Sequence, residues 1–445
     1  MRTFRGGVHP HEHKGLSRDR AIEPLAPPPQ VVLPMSQHLG VPCTPTVKKG
    51  DAVRKGQAVG QPDPSNPRRF VSAPVHASVS GKVVAVEERP HPLGRAVLAV
   101  VIENDGQDAW ADGLLGEADV GSLDANAIKA RIQAAGIVGM GGAAFPTHVK
   151  ISPPPDKPID TVILNAAECE PYLTCDYRLM LERTADLVEG VKILGKALGA
   201  KGLMIGIEAN KMDAFERLRQ AAEGTGIGVE VCEVKYPQGS EKQLIYALTG
   251  RRVPAGGLPL EVGVVVQNVA TALAVCEAVR SNKPLIERVV TVTGDGVDHP
   301  SNFLVRLGTP IRALLEAAGM PPGARKVISG GPMMGIAQAN LDAPVIKGTS
   351  GLLVQREAEP AEWRACIHCG RCVEACPMRL LPNEISTACE SRSLDAMAAT
   401  TILDCFECGC CSYVCPARRP IVHWVKWGKV ELAKRKAQQQ KTKAS

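Results

Sequence analysis

The sequence predicts a multidomain protein of mixed class, with α/β and α+β parts. Three observations carry that expectation. The chain has 445 residues, too many for one compact core, so about three or four domains are expected. Its middle alternates apolar strand-like runs with helix-like runs. Its last fifth concentrates cysteine, with ten of the fifteen between residues 366 and 415.

Composition bounds the class further. Hydrophobic residues make up 44% and charged residues 22%, as in ordinary globular proteins, and aromatics only 3%, so the cores must lean on Val, Leu, Ile and Ala. The opening "MRTFRGGVHPHEHKG" has no apolar core of an export signal. The run "GVVVQNVATALAVCEAV" is broken by Gln267 and Asn268 and reads as a buried strand plus helix rather than a membrane span. The expectation is a cytosolic chain, or one attached to a membrane from the cytosolic side. Cysteines crowded into such a chain are metal ligands rather than disulfides. The net charge of +6 sits in residues 426–445, which leaves 45 basic and 45 acidic residues elsewhere. A neutral body with a basic tail argues against a nucleic-acid partner.

Residues 1–115 are rich in Pro, Val and Gly and hold short strand-like runs: "VVLPM", "AVGQP", "SGKVVAVEE" and "AVLAVVIE". Gly50-Asp51 and Gly56-Gln57 mark corners between valine runs that read as hairpins, and "APVHASVSGKV" reads as a further strand pair. This N-terminal β domain resembles a biotinyl/lipoyl-type barrel sandwich. The carrier lysine of such domains is not evident in "RRFVSAPVHAS", so a structural role is expected. Residues 116–285 alternate helices ("LDANAIKARIQAAG", "DYRLMLERTADLVEGVKILGKALGA", "MDAFERLRQAAEGTG") with strands ("DTVILNAAE", "GLMIGIEA", "VEVCEVK", "GVVVQNV"), which predicts an α/β domain on a mostly parallel sheet. Residues 286–350 return to short strands around one helix, "PIRALLEAAG", as a small α+β module. Residues 351–425 carry the cysteine runs and 426–445 the basic tail, beside which Trp424 and Trp427 are expected where a helix could graze a membrane headgroup layer.

The runs are Cys366, Cys369, Cys372 and Cys376-Pro377, then Cys405, Cys408, Cys411 and Cys415-Pro416. This is the spacing of bacterial ferredoxins with two [4Fe–4S] clusters, in which the fourth cysteine crosses to the other cluster. Cluster one is expected on Cys366, Cys369, Cys372 and Cys415, and cluster two on Cys376, Cys405, Cys408 and Cys411. Zinc sites pair their ligands two and two, unlike these runs. Cys410 falls outside the spacing. Between the runs, "NEISTACESRSLDAMAAT" predicts helix, hence a helix-linked double-cluster module. His9, His11 and His13 alternate in a polar leader, where solvated side chains are the usual outcome.

Clusters carry single electrons, so a source is sought. In "GIVGMGGAAFPTHVK", Gly139, Gly141 and Gly142 permit close backbone approach to a phosphate, and the cationic Lys150 follows; a tight structural turn fits the glycines equally. Asn165, Glu168, Glu170, Glu241 and Asn268 follow apolar strands, where α/β sheets bind ligands. Each could instead cap a helix.

These residues carry a resemblance. "GMGGAAFPTHVK", "NAAECEPYLTCDYRLM", "YPQGSEKQLI", "GLPLEVGVVVQNVAT", "VTVTGDGV", "GGPMMG" and the twin cysteine runs occur in that order in the C subunits of the Rnf electron-transport (ion-translocating oxidoreductase) complexes, over nearly the whole chain. The central part also resembles the flavin- and NADH-binding subunit of respiratory complex I, whose loop runs Gly-Arg-Gly-Gly-Ala-Gly-Phe-Pro-Thr-Gly. The resemblance implies that Gly139, Gly141, Gly142, Lys150, Asn165 and Asn268 contact FMN, that Phe145 stacks on NAD(H), and that Glu170 lies beside the hydride-transfer site. Glu168 joins this cofactor-binding set, and Tyr236, Gly239 and Glu241 match the complex I Tyr-x-x-Gly-Glu-Glu stretch. Met140, Ala144, Ala167 and Ser240 depart from the pattern. Residues 286–350 resemble the soluble-ligand-binding β-grasp module of the same relatives. The implied role is electron entry: NADH to FMN, then two clusters, then membrane partners that exchange with ferredoxin and move ions at the cytoplasmic side of a bacterial inner membrane, with no catalytic acid or base. A cobalamin reductase of a microcompartment, a relay-only docking subunit with a lapsed flavin site, and a soluble NADH dehydrogenase acting alone are the other readings.

Overall fold

Four strands, Ile227–Cys232, Gly202–Glu208, Thr161–Ala166 and Val264–Asn268, lie side by side in that order and all run parallel. The computed structural model describes residues 1–358 and 362–444. Val162, Ile163 and Leu164 are buried on both faces of this sheet, as a continuous apolar run between parallel neighbours requires. Helices Ala125–Ala134, Thr184–Leu198, Met212–Ala221 and Val269–Ser281 follow the expected pattern. The long run from Asp176 was expected as one helix and forms two, Cys175–Glu182 and Thr184–Leu198, because the backbone leaves helical geometry at Arg183. Gly190 allows the second to lie against Val269–Ser281; a Cβ there would sit 2.2 Å from the Ala272 carbonyl oxygen.

The N-terminal β layer comprises two sheets: Gln30–Pro34, Arg95–Asn104, Gly81–His91 and Ala52–Val53 in one, and Cys43–Pro45, Ala58–Pro62 and Val75–His76 in the other. The expected hairpins are not formed. Ala52–Val53 pairs with Gly81–His91, while Ala58–Pro62 pairs with Cys43–Pro45 and Val75–His76. Likewise Val75–His76 and Gly81–His91 lie in different sheets. The corners at Gly50 (φ 99°) and Gly56 (φ 83°) are present, but each hands the chain from one sheet to the other, as a sandwich demands.

A six-stranded mixed sheet runs Ile22–Pro24, Ser301–Arg306, Glu287–Thr293, Gly351–Gln355, Lys326–Ser329, Ile336–Ala337, with helix Ile311–Ala317 beside it. Two of its strands come from outside 286–350. Gly351–Gln355 fills an interior position, and Ile22–Pro24 adds a parallel edge strand. One continuous apolar core runs from Val31 to Val354, and the cysteine module has its own around Ile385, Met397, Ile402 and Val425.

In that module the predicted helical stretch forms Pro382–Glu390 and Leu394–Ala398. The tail begins inside a 24-residue helix, Ile421–Ala444. Trp424 and Trp427, expected where a helix could graze lipid headgroups, instead form an edge-to-face pair 6.2 Å apart and pack on the module's core. Among the described residues no helix is long and apolar enough to cross a membrane.

Candidate redox centre

The Gly139 loop closes on itself. Gly139 N–H donates to the Phe145 carbonyl at 2.8 Å and Thr147 N–H to the Ile137 carbonyl at 3.0 Å. Met140 and Ala144 are buried, while Gly141, Gly142 and Ala143 form an exposed tip and Phe145 is half-buried. Met140 N–H donates to Thr271 Oγ1 at 2.9 Å, so the loop rests on the first turn of helix Val269–Ser281. Asn268 caps that helix, accepting from Thr271 N–H at 3.3 Å, and donates to Asp176 at 2.6 Å. A Cβ on Gly141 would lie 2.9 Å from Asn268 Nδ2. Free backbone N–H groups beside a helix N-terminus are what a phosphate requires, so the residues present fit the phosphate end of a flavin mononucleotide. Ala144 holds φ 52°, a left-handed conformation that explains why the related pattern has glycine there.

Asn165 donates to the Gly239 carbonyl at 2.7 Å, and Gly239 N–H donates to Cys169 Sγ at 3.3 Å. Lys150 pairs with Glu241 at 2.5 Å, which joins the helix after the Gly139 loop to the start of helix Glu241–Thr249. Glu168 accepts from Asp176 N–H (2.7 Å) and Tyr177 N–H (3.2 Å), the capping role open to it. Its burial pushes the carboxyl up to about 7, opposed by Lys14. Glu170 accepts from Met333 N–H (2.7 Å) and Met334 N–H (3.0 Å). Burial raises its pKa and those two N–H groups oppose the rise.

The cysteines gather as two sets. One cavity is lined by Cys366, Cys369, Cys372 and Cys415, the other by Cys376, Cys405, Cys408 and Cys411. Each cavity therefore draws three thiols from one run and one from the other. No three His, Cys, Asp or Glu side chains among the described residues converge closely enough for a single metal ion. Four thiols around a wider space suit a cubane cluster. Cys410 also lines the second cavity but turns its thiol toward the Tyr236 carbonyl at 3.9 Å. Of the other cysteines, Cys43, Cys175, Cys232, Cys276 and Cys389 are buried and Cys169 half-buried. His13 stacks on Tyr172 at 4.7 Å, with His11 tilted 5.9 Å away.

Tyr236 joins the two regions. It is 2% exposed, and its hydroxyl donates to the Cys408 carbonyl at 2.7 Å. Met333 packs in the same cluster as Tyr236, Cys169 and Cys408, and a Cβ on Gly409 would meet the Met333 carbonyl at 2.8 Å. The second cavity thus abuts the segments that carry Tyr236, Cys169 and Glu170; at the first, Cys369 is exposed. Sequence reasoning missed Lys14, Asp176, Thr271 and Met333. Lys14 sits in a polar leader with no motif, and only the fold brings it inside.

Four families match along the chain: the RnfC barrel sandwich hybrid domain at residues 2–107, the Nuo51 FMN-binding domain at 132–277, the SLBB domain at 289–337 and the 4Fe-4S binding domain at 362–380. The C subunit of the proton-translocating ferredoxin:NAD(+) oxidoreductase complex of Clostridium ljungdahlii is 46% identical over 97% of this chain and 94% of its own. The C subunit of the Na(+)-translocating ferredoxin:NAD(+) oxidoreductase complex of Acetobacterium woodii is 46% identical over 97% of both chains. The C subunit of the ion-translocating oxidoreductase complex of Rhodobacter capsulatus is 41% identical over 98% of this chain and 84% of its own. A solved NAD+-reducing [NiFe]-hydrogenase in the H2-reduced state shares the fold, at 20% identity and TM-score 0.50, over 65% of this chain and 61% of that one.

Proposed function

The chain belongs to the family of the C subunits of ion-translocating oxidoreductase complexes, and on that premise we propose that it is the electron-entry subunit of a membrane complex exchanging electrons between NAD(H) and ferredoxin. Its partners are the complex's other subunits, through which ferredoxin is reached, and its place is peripheral, at the cytoplasmic side of the inner membrane. A bound FMN would supply the passage from hydride to single electrons, and [4Fe–4S] clusters would supply one-electron carriers. The exposed backbone of Gly141 and Gly142 receives the FMN phosphate, with Asn165, Lys150 and Asn268 at its rim. Phe145 offers a face to the nicotinamide dinucleotide, and Glu170, held by Met333 and Met334, borders the nicotinamide.

Cys376, Cys405, Cys408 and Cys411 hold the cluster nearer the flavin, and Cys366, Cys369, Cys372 and Cys415 the one that faces partners. The single observation that carries this order is the Tyr236 contact to Cys408 on one side and the exposed Cys369 on the other. No side chain acts as acid or base; the residues bind, orient and exclude water.

The test is the cofactor content of anaerobically purified protein. About eight iron, eight sulfide and one non-covalent FMN per chain are expected, and Cys366→Ser should leave about four iron. Zinc in place of iron, about four iron in the unaltered chain, or absent flavin would overturn the reading.

A further inference from the structure

The N-terminal segment sends one charged side chain into the interior. Lys14 is 7% exposed, and its ammonium donates to the carbonyls of Glu168 (2.8 Å), Glu170 (3.0 Å) and Leu173. A lysine has three donors, so all are used on one loop. The Glu168 carboxylate, 3.9 Å away, supplies the countercharge.

That loop is strained. Glu168 (φ 44°) and Tyr172 (φ 70°) both hold left-handed backbone without being glycine. Such residues persist only where the surroundings over-determine them. The same N-terminal segment supplies further ties. Tyr172 N–H donates to the Glu12 carbonyl at 2.7 Å, and Ser17 Oγ lies 2.8 Å from Thr174 Oγ1. The loop includes Glu170, whose carboxylate the Met333 and Met334 amides fix from the opposite side.

We infer that Lys14 is a positioning residue for the redox pocket: its ammonium holds the 168–173 loop in its strained form and so fixes where Glu170 stands. The inference rests on reading this pocket as the NAD(H)–flavin site. Methionine at position 14 fills similar volume but leaves three carbonyls without that donor, and the Leu173 carbonyl among them is buried. The loop then relaxes and Glu170 loses its place.

Hydrogen exchange on flavin-free Lys14→Met in the full chain reads the loop directly. Amides 168–173 should exchange at least about tenfold faster than in the unaltered chain, with strand Thr161–Ala166 unchanged. In flavin-loaded protein the KM for NADH should rise about tenfold with kcat changed less than about twofold. Lys14→Ala should show the same rise, reversed by ethylammonium and not by tetramethylammonium, which has no N–H to donate. Unchanged exchange and KM in folded variants overturn the inference, as does rescue by both cations. If neither variant folds, the unaltered chain decides: protected 168–173 amides support the clamp, and exchange as fast as at the termini overturns it. An unaltered chain that fails to bind flavin or respond to NADH would instead sink the functional reading, while leaving the exchange result to stand.

Discussion

At Gly141 a single added carbon would sit 2.9 Å from Asn268 Nδ2 and 3.0 Å from Asn268 Cβ, inside van der Waals contact. Asn268 cannot retreat freely, because it caps helix Val269–Ser281 and holds Asp176. Gly141→Val should therefore push the loop tip off the helix end and lower bound FMN by about tenfold or more while iron content stays unchanged. Released-flavin fluorescence beside an iron assay checks this, and full flavin retention would remove the loop from the site. Glu168 gives a pH signature. Its carboxyl is raised by burial from 4.5 to about 7 in the folded chain. Between those values the folded chain holds a proton that the unfolded chain has released, so stability present below about 4.5 is lost as pH rises toward 7. Glu168→Gln should flatten stability against pH between about 5.5 and about 7.5, read as urea midpoints by far-UV circular dichroism. An unchanged slope would show that Glu168 does not titrate there.

Among the elements, the segments before the first sheet and after the last cysteine act as clasps. Gly7 N–H donates to the Ala375 carbonyl at 2.9 Å and Val8 pairs with Tyr236, so residues 2–17 touch both the pocket and the second cysteine set. At the other end, Lys429 donates to the Cys405 carbonyl and to Glu407 (2.7 Å). Losing charge-assisted bonds costs about 1.5–3 kcal/mol, so Lys429→Met should speed iron loss to a chelator from the second set about tenfold and spare the first. Equal loss from both sets, followed by visible absorbance in the Cys366→Ser and Cys405→Ser backgrounds, would contradict that role. Neither clasp was legible in the sequence. The cysteine runs were, because ligand spacing is a local property of the chain, and so was the parallel sheet, because buried strands such as Thr161–Ala166 centre on continuous apolar runs, here Val162, Ile163 and Leu164. The hairpins expected at Gly50 and Gly56 failed for a physical reason: a glycine corner fixes a turn but does not say which sheet receives the next strand. Trp424 and Trp427 misled because an amphipathic ring suits a lipid interface and a module core equally well.

Over the whole molecule, buried polar groups hold the layers in one arrangement. Lys347 donates to the Pro74 carbonyl (2.6 Å) of the N-terminal β layer and to the Gly136 carbonyl (2.8 Å) beside the Gly139 loop, from within the module of the six-stranded sheet. Its burial lowers the ammonium pKa to about 8. Tyr236 and Met333 then join the pocket to the cysteine module. This gives the proposed route an order: nucleotide pocket, flavin loop, the Cys408 set, the Cys369 set, and outward. The most direct test of that route is an anaerobic NADH titration of the purified chain, followed by visible absorbance and electron paramagnetic resonance. Uptake of about four electrons per chain is expected, two by the flavin and one by each cluster, with the flavin band bleaching and both clusters becoming paramagnetic. Uptake that stops at two electrons with the clusters still oxidised, or no uptake at all, would contradict it.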